Sequence, residues 1–241
     1  MATWTEQPPA LRIAGLRFAW PGDAPLVDIE GFQVAAGERV FLHGPSGSGK
    51  STLLNLVAGT LAPQAGRIEV AGEAVSGASE RVRDRLRADH VGFVFQPFYL
   101  LPYLSVVDNV VLPCRFSARR RQRALARDGS PESAARRLLA ALGLGDAALQ
   151  ARAATGLSVC QQQRVAAARA LIGAPELVMA DEPTSALDVD AREGFLRLLF
   201  AECEHAGSAL VFVSHDHTLR PLFDRHQDLR MLNRAARPEA A

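Results

Sequence analysis

The residues with the most legible chemistry are nine in a row, Gly44-Pro45-Ser46-Gly47-Ser48-Gly49-Lys50-Ser51-Thr52. They match G-x-x-x-x-G-K-[ST], a pattern in which glycines let backbone N–H groups close around phosphate oxygens. Lys50 is expected to reach β- and γ-phosphates, and the Ser51 hydroxyl to hold Mg²⁺. Of the 27 basic residues, Lys50 is the sole lysine. A chain that writes arginine everywhere else keeps one compact ammonium for the place where a cation must fit among phosphates.

Further groups of the right type follow. Leu177-Val178-Met179-Ala180 is an apolar run that ends in Asp181 and Glu182. In a parallel sheet, ligands bind at the carboxyl ends of strands, which would bring both acids to the phosphate loop. Asp181 is then expected to hold Mg²⁺ through water, and Glu182 to orient or deprotonate an attacking water. His215, at the end of the run before Ser214-His215-Asp216, is expected to touch a γ-phosphate. His205, His217 and His226 read as incidental surface histidines. Ser158, with Gln161 three residues on, forms a capping box. The helix it opens offers a second phosphate-binding N-terminus in the same chain.

These groups need strands and helices to position them. Arg39 to His43 is a short β-type run before the glycine loop, and Thr52 to Ala58 reads as a helix closed by Gly59. Leu11, Ile13, Leu16, Phe18 and Trp20 recur at near-alternating positions, which predicts a strand with one irregular step. Leu26 to Val34 and Arg67 to Val70 read as further strands, Glu80 to Ala88 as a polar helix and Val91 to Phe95 as an apolar strand. Trp20 ends its strand where its ring could stack on adenine, or could serve as a core or rim residue. From Phe98 to about Gly156 strand signals stop, and the pattern is helical. One helix starts at Ser105 and another spans Glu132 to Leu142, with Gly143 as C-cap. Between them, residues 115 to 127 carry six arginines. This cluster reads chiefly as a solvated helix face, with anionic lipid headgroups as the alternative contact. No aromatics are interleaved with it, which argues against nucleic acid. A helix from about Ala191 to Cys203 and a strand from Ser208 to Val213 complete the pattern.

Composition sets the bounds. The 241 residues are 48% hydrophobic and 22% charged, with a net charge of +1. That is the balance of a globular protein with no global field toward nucleic acid or lipid. No apolar run approaches the ~18 residues of a membrane span. Met1 to Ala10 lacks the basic-then-apolar pattern of a signal peptide. Cys114, Cys160 and Cys203 are odd in number and widely spaced, which suits reduced thiols in the cytoplasm rather than a disulfide framework or zinc site.

The order of motifs is informative as a set: phosphate loop, Gln96 after a strand, helical insertion, Ser158 helix start, Asp181-Glu182, Ser185-Ala186-Leu187-Asp188, and Ser214-His215-Asp216. From about Leu11 to Arg230 the chain resembles the nucleotide-binding subunit of an ATP-binding cassette transporter. Phe95 to Pro102 and Leu157 to Leu171 are most similar to the lipoprotein-release and macrolide-efflux group, including the glycolipid-exporter type. The resemblance implies an α/β fold: a RecA-like P-loop NTPase core with an N-terminal antiparallel β subdomain and a helical subdomain. Residues 1–241 would form one ATPase domain, with 11–96 and 174–232 as the core and β subdomain and 97–173 as the helical part. ATP and Mg²⁺ are the implied ligands.

The resemblance also assigns roles. Trp20 falls at the adenine-stacking position, and Gln96 at a glutamine that meets Mg²⁺ and senses the γ-phosphate. Asp181 matches the metal-side acid, Glu182 the catalytic base, Asp188 a dimer-contact acid and His215 the switch histidine. Phe98 to about Val111 matches the segment that receives an integral-membrane permease. Two copies would close head to tail, so that Ser158, Cys160 and Gln161 of one face the ATP held by Lys50 of the other. The expected location is the cytoplasmic face of the inner membrane, as a peripheral subunit. A regulatory ATPase of the cell-division type, signalling without transport, is the alternative; action on ribosomes or DNA fits less well. One departure stands out: the usual Leu-Ser-Gly-Gly-Gln reads here Leu157-Ser158-Val159-Cys160-Gln161.

Overall fold

The computed structural model describes residues 8–185 and 187–236. The chain opens with β1 (Leu11–Ala19), β2 (Pro25–Val34) and β3 (Arg39–His43), followed by α1 (Lys50–Val57), β4 (Ala65–Val70) and β5 (Glu73–Ala74). Next come α2 (Glu80–His90) and β6 (Val91–Val94), then a helical stretch: α3 (Val106–Phe116), α4 (Ala118–Asp128), α5 (Pro131–Ala141), α6 (Ala147–Ala151) and α7 (Val159–Leu171). The chain then returns to strands with β7 (Leu177–Asp181), α8 (Val189–Ala206), β8 (Ala209–Val213), β9 (Arg225–Asp228) and the short α9 (Leu229–Leu232).

Two sheets result. An antiparallel one has the order β2-β1-β4-β5, and a parallel one the order β6-β7-β8-β3-β9. The parallel sheet is covered on both faces, which explains why β7 is apolar without alternation. Val178, Ala180 and Phe212 face a core shared with α3, α5, α7 and α8. Leu177, Met179 and Val211 face the other way, toward α1 and the antiparallel sheet. The two faces thus bind the sheet to different partners, and every strand end is held from both sides.

The irregular step expected in the first strand is a β-bulge. The pairing of β1 with β4 shifts between Ala14 and Arg17, and Gly15 there has φ +58°. A bulge residue in the left-handed region needs glycine. Several boundaries differ from those expected. Helix α2 runs on to His90 and passes directly into β6. α8 starts at Val189 and ends at Ala206. β5, α6, β9 and α9 carry too little periodicity to be foreseen, being two to five residues long.

The arginine cluster is also corrected. Arg120 is buried and donates to Ala170 O at the end of α7. Arg119 and Arg123 both donate to Glu176, and Arg115 pairs with Asp108. Arg115, Arg119, Arg121 and Arg127 are exposed, so the expected solvated face holds for four of the six and fails for Arg120 and Arg123. Placing α4 across the start of β7 puts an acidic residue within reach of its inner arginines, a contact 53 or more residues away in sequence. No helix among the described residues is long and apolar enough to cross a membrane.

Candidate functional site

The phosphate loop follows from the geometry of β3 and α1. β3 lies between β8 and β9 in the parallel sheet, so its carboxyl end is fixed before the chain enters the glycines. Gly49 caps α1 with φ +93°, and a Cβ there would lie 3.3 Å from Leu26 O. The turn therefore needs glycine on two counts, backbone conformation and space. Lys50 is the first helical residue, and its Nζ donates to Gly44 O at 2.7 Å and Pro45 O at 2.9 Å. The ammonium thus folds back over the loop, satisfied by carbonyls. Ser46, Gly47 and Thr52 complete the loop and first turn, and Ser48 Oγ is buried without a hydrogen-bond partner.

The two acids reach this loop because β7 lies one strand away from β3, with β8 between them. Ser51 Oγ donates to Asp181 Oδ2 at 2.9 Å. Burial raises the Asp181 carboxyl above its ordinary value; the Ser51 hydrogen bond and nearby Lys50 act against this, while Glu182 adds to it. Glu182 has φ +47°, a left-handed conformation that a glutamate adopts only under tertiary constraint. Its Oε1 lies 3.0 Å from His215 Nδ1, and its Oε2 is buried without a partner. An oriented carboxylate with one open oxygen is suited to hold a water molecule. His215 itself is largely exposed, at the edge of a cleft of about 300 Å³ lined also by Thr184, Ser185 and Ser214.

The structure brings Lys50, Ser51, Asp181, Glu182 and His215 into one connected cluster. Gln96, just past β6, donates from Nε2 to Ser185 Oγ at 2.6 Å, which ties it to the segment after Glu182. Asp188 caps α8, its Oδ1 accepting from Ala191 N at 2.8 Å. Trp20 lies just past β1, partly exposed, with its ring edge-on to Phe18 at 5.1 Å. Ser158 and Gln161 form the capping box in both directions, Gln161 N donating to Ser158 Oγ and Ser158 N to Gln161 Oε1. This helix start is not hydrogen-bonded to the Lys50 cluster. Cys160 sits in its first turn, half-buried against the helical core, whereas Cys114 and Cys203 are fully buried. Burial pushes the Cys203 thiol up to about 12 and the Cys114 thiol up to about 11.

Some residues of the site region escaped the sequence reading. Arg192 and Arg220 lie on helix faces with no motif of their own, and Ser185, part of an expected motif, had no expected partner. Arg192 pairs with Asp216 beside His215. His217 is exposed, as expected, and its ring meets that of His43 edge-on at 4.9 Å.

The donor set suits ATP and Mg²⁺. Lys50 and the loop amides would take phosphate oxygens, and Ser51 with Asp181 supplies hard oxygen ligands of the kind Mg²⁺ prefers. The two orphaned buried oxygens, on Ser48 and Glu182, are polar positions that a bound ligand or water would satisfy.

Comparison with known proteins agrees. The sequence profile of the ABC transporter family matches residues 28–185. The lipoprotein-releasing system ATP-binding protein LolD of Anaeromyxobacter dehalogenans is 40% identical over 224 residues, covering 92% of this chain and 90% of the relative. The macrolide export ATP-binding/permease protein MacB of Burkholderia pseudomallei is 39% identical over 198 residues, 80% of this chain but 28% of that longer protein. Among solved structures, a dimeric post-hydrolysis state of the ATP-binding cassette MJ0796 bound to ADP and Pi superposes with a TM-score of 0.78. It is 28% identical and covers 95% of this chain and 97% of that one.

Proposed function

The chain belongs to the ABC transporter family, and from that premise we propose how its residues bind and hydrolyse ATP. It is the ATP-binding and hydrolysing subunit of a transporter, of the export type. The observation that carries the hydrolytic assignment is the Glu182 carboxylate, oriented by His215 and with one buried oxygen left open.

Lys50 exchanges the Gly44 and Pro45 carbonyls for β- and γ-phosphate oxygens, at little cost because its three donors rotate freely. The loop amides from Gly44 to Thr52 surround the phosphates, and Trp20 stacks on adenine. Mg²⁺, when bound, neutralises charge on the phosphates. Ser51 and Asp181 are the residues that would hold it, with Gln96 joining on the γ-phosphate side. Glu182 orients water in line with the γ-phosphorus and takes its proton, and His215 keeps that carboxylate in place while reaching the γ-phosphate.

A single copy leaves the γ-phosphate side open to solvent. A second copy, packed head to tail, brings the Ser158 helix N-terminus with Cys160 and Gln161 to that side, and Asp188 to the dimer contact. The dimeric state of the related cassette supports this arrangement. The mechanical partner is a separate integral-membrane permease, seated on the helical part near Phe98 to Val111, which places the subunit peripherally on the cytoplasmic face of the membrane. MacB, whose name joins ATP binding and permease in one protein, supports that pairing. Tagged chain isolated from gently solubilised membranes should bring down a multi-span protein, and ATP should drive substrate movement in vesicles holding both. Recovery of the chain alone from native membranes would refute the permease assignment. ATP-driven signalling without substrate movement would refute transport.

A further inference from the structure

His43 is the last residue of β3, directly before the phosphate loop, and it is buried. Arg220 lies on the 3₁₀ turn His217–Leu222, just downstream of the switch histidine. Its Nη2 is 2.9 Å from His43 Nε2 and 3.2 Å from His43 Nδ1. A donor that close to both ring nitrogens cannot lie in the ring plane, because it would collide with the carbon between them. The guanidinium therefore rests on the imidazole face, a contact that a neutral ring favours and a charged ring opposes. His217, on the same turn, meets the ring edge-on. Arg220 Nε is buried without a hydrogen-bond partner, so this face is a principal seat of that side chain.

The segment bearing His215 is otherwise anchored by Leu219 and Phe223, both buried in the core with the Phe223 ring 5.3 Å from that of Phe41 on β3, and by a few polar contacts. Ser214 N donates to Leu42 O at 3.3 Å, and Asp216 pairs with Arg192 and caps the turn at Thr218. We propose that His43 and Arg220 are positioning residues for hydrolysis: the cation on the imidazole face locks the turn after His215 to the strand that carries the phosphate loop. This rests on the assignment of His215 and Glu182 above. It implies that turnover, rather than ATP affinity, depends on the pair, since the lock sets where His215 meets Glu182.

Protonation adds a second consequence. Burial and then Arg220 hold His43 below the ordinary histidine range, with His217 and His226 acting the same way and Asp228 on β9 opposing. On acidification a proton on His43 would place two cations face to face and release the turn.

The test is steady-state ATPase kinetics of the purified full chain. At pH 7.5, His43→Leu and Arg220→Gln should each lower kcat on the order of tenfold, the scale of a small misplacement of catalytic groups, while KM for ATP stays within about twofold. The double variant should be no worse than either single one, because both remove the same contact. His43→Phe, which keeps an aromatic face and cannot take a proton, should recover most of the turnover lost in His43→Leu. Its activity relative to the unsubstituted chain should rise as the pH falls from 7.5 toward 5.5. Unchanged kcat in Arg220→Gln, a raised KM with kcat intact, additive losses, or parallel pH profiles for His43→Phe and the unsubstituted chain would each overturn the inference. Arg220→Gln guards against misfolding of β3, since it alters a side chain outside the sheet. Glu182→Gln in the same assay separates the two levels: retained turnover there refutes the base assignment, whereas its loss beside unchanged His43→Leu and Arg220→Gln refutes only the lock.

Discussion

Strand β7 has a carboxylate system at each end, and the two are built in opposite ways. At its start, Glu176 is saturated. Oε1 accepts from Arg119 at 2.6 Å and from Arg123 at 2.7 Å, and Oε2 lies 2.9 Å from His90 Nδ1. His90 is buried and reaches on to Glu73 at 3.0 Å. At its other end, Asp181 has a raised pKa, and Glu182 combines a left-handed backbone with a buried oxygen that nothing in the chain satisfies. One end joins α2, α4 and β5 to the sheet with both Glu176 oxygens paired. The other keeps valences open and holds strain, as an active site does. Acidic residues six positions apart, flanking one strand, thus divide stability from chemistry according to what surrounds them.

Helix α7 repeats the division. Its C-terminal carbonyl at Ala170 is closed by buried Arg120, whereas its N-terminus at Ser158 is exposed and capped only by its own residues.

The comparison is best broken by exchanging effects between the ends. The largest expected effect is at the chemical end. Glu182→Gln should keep ATP binding, accumulate the closed dimer and lower turnover by at least the ~10²–10⁴ of a general base. Single-turnover hydrolysis with gel filtration in ATP measures both. Wild-type turnover in this variant would mean that Glu182 is no different in kind from Glu176.

The structural end should respond in stability instead. Burial acts to raise the Glu176 carboxyl, but hydrogen bonds from His90, Arg119 and Arg123 overcome this and hold it well below the usual carboxylate range. A group whose folded pKa is depressed contributes stability above its unfolded value, near 4.3, and loses it as the pH falls toward the folded one. Glu176→Ala should therefore lower stability at pH 7 by about 1–2 kcal/mol, the modest figure reflecting arginines that are 43% and 37% exposed. The loss should shrink below about pH 4, and ATP turnover should stay near that of the unsubstituted chain. Thermal denaturation across pH checks this; a pH-independent deficit would remove the ionic explanation.

The smallest effect expected is at the open end of α7. Cys160 carries a side chain where the usual pattern has glycine, and in the proposed head-to-tail dimer it would take up space needed for close backbone approach to a partner's ATP. Cys160→Gly should raise turnover and ATP-dependent dimerisation a few-fold, leave monomer nucleotide affinity unchanged and cost up to about 1 kcal/mol of stability as a helical glycine. Equal turnover with the membrane partner present would show that the position tolerates cysteine.

Much of this was legible before any coordinates, for a reason common to the features concerned: each is local. The glycine loop, the Ser158 capping box, the bulge at Gly15 and the apolar run into Asp181 and Glu182 are written within a few neighbouring residues, where backbone conformation and helix-end chemistry act. The ordered motifs supplied the family, and with it the two-sheet, one-helical-layer plan. What only tertiary structure decided were pairings across long stretches of chain. Nothing local marks Arg119 and Arg123 as partners of Glu176, Arg220 as the cation on His43, or the exposed His217 as a ring neighbour of His43. An arginine's sequence neighbours do not reveal whether it faces water or a carboxylate; that depends on which helix crosses which strand. Local sequence set where the chain turns, caps and can cradle phosphate, and the packing of helices on the parallel sheet decided which charges were closed off and which were left open for chemistry.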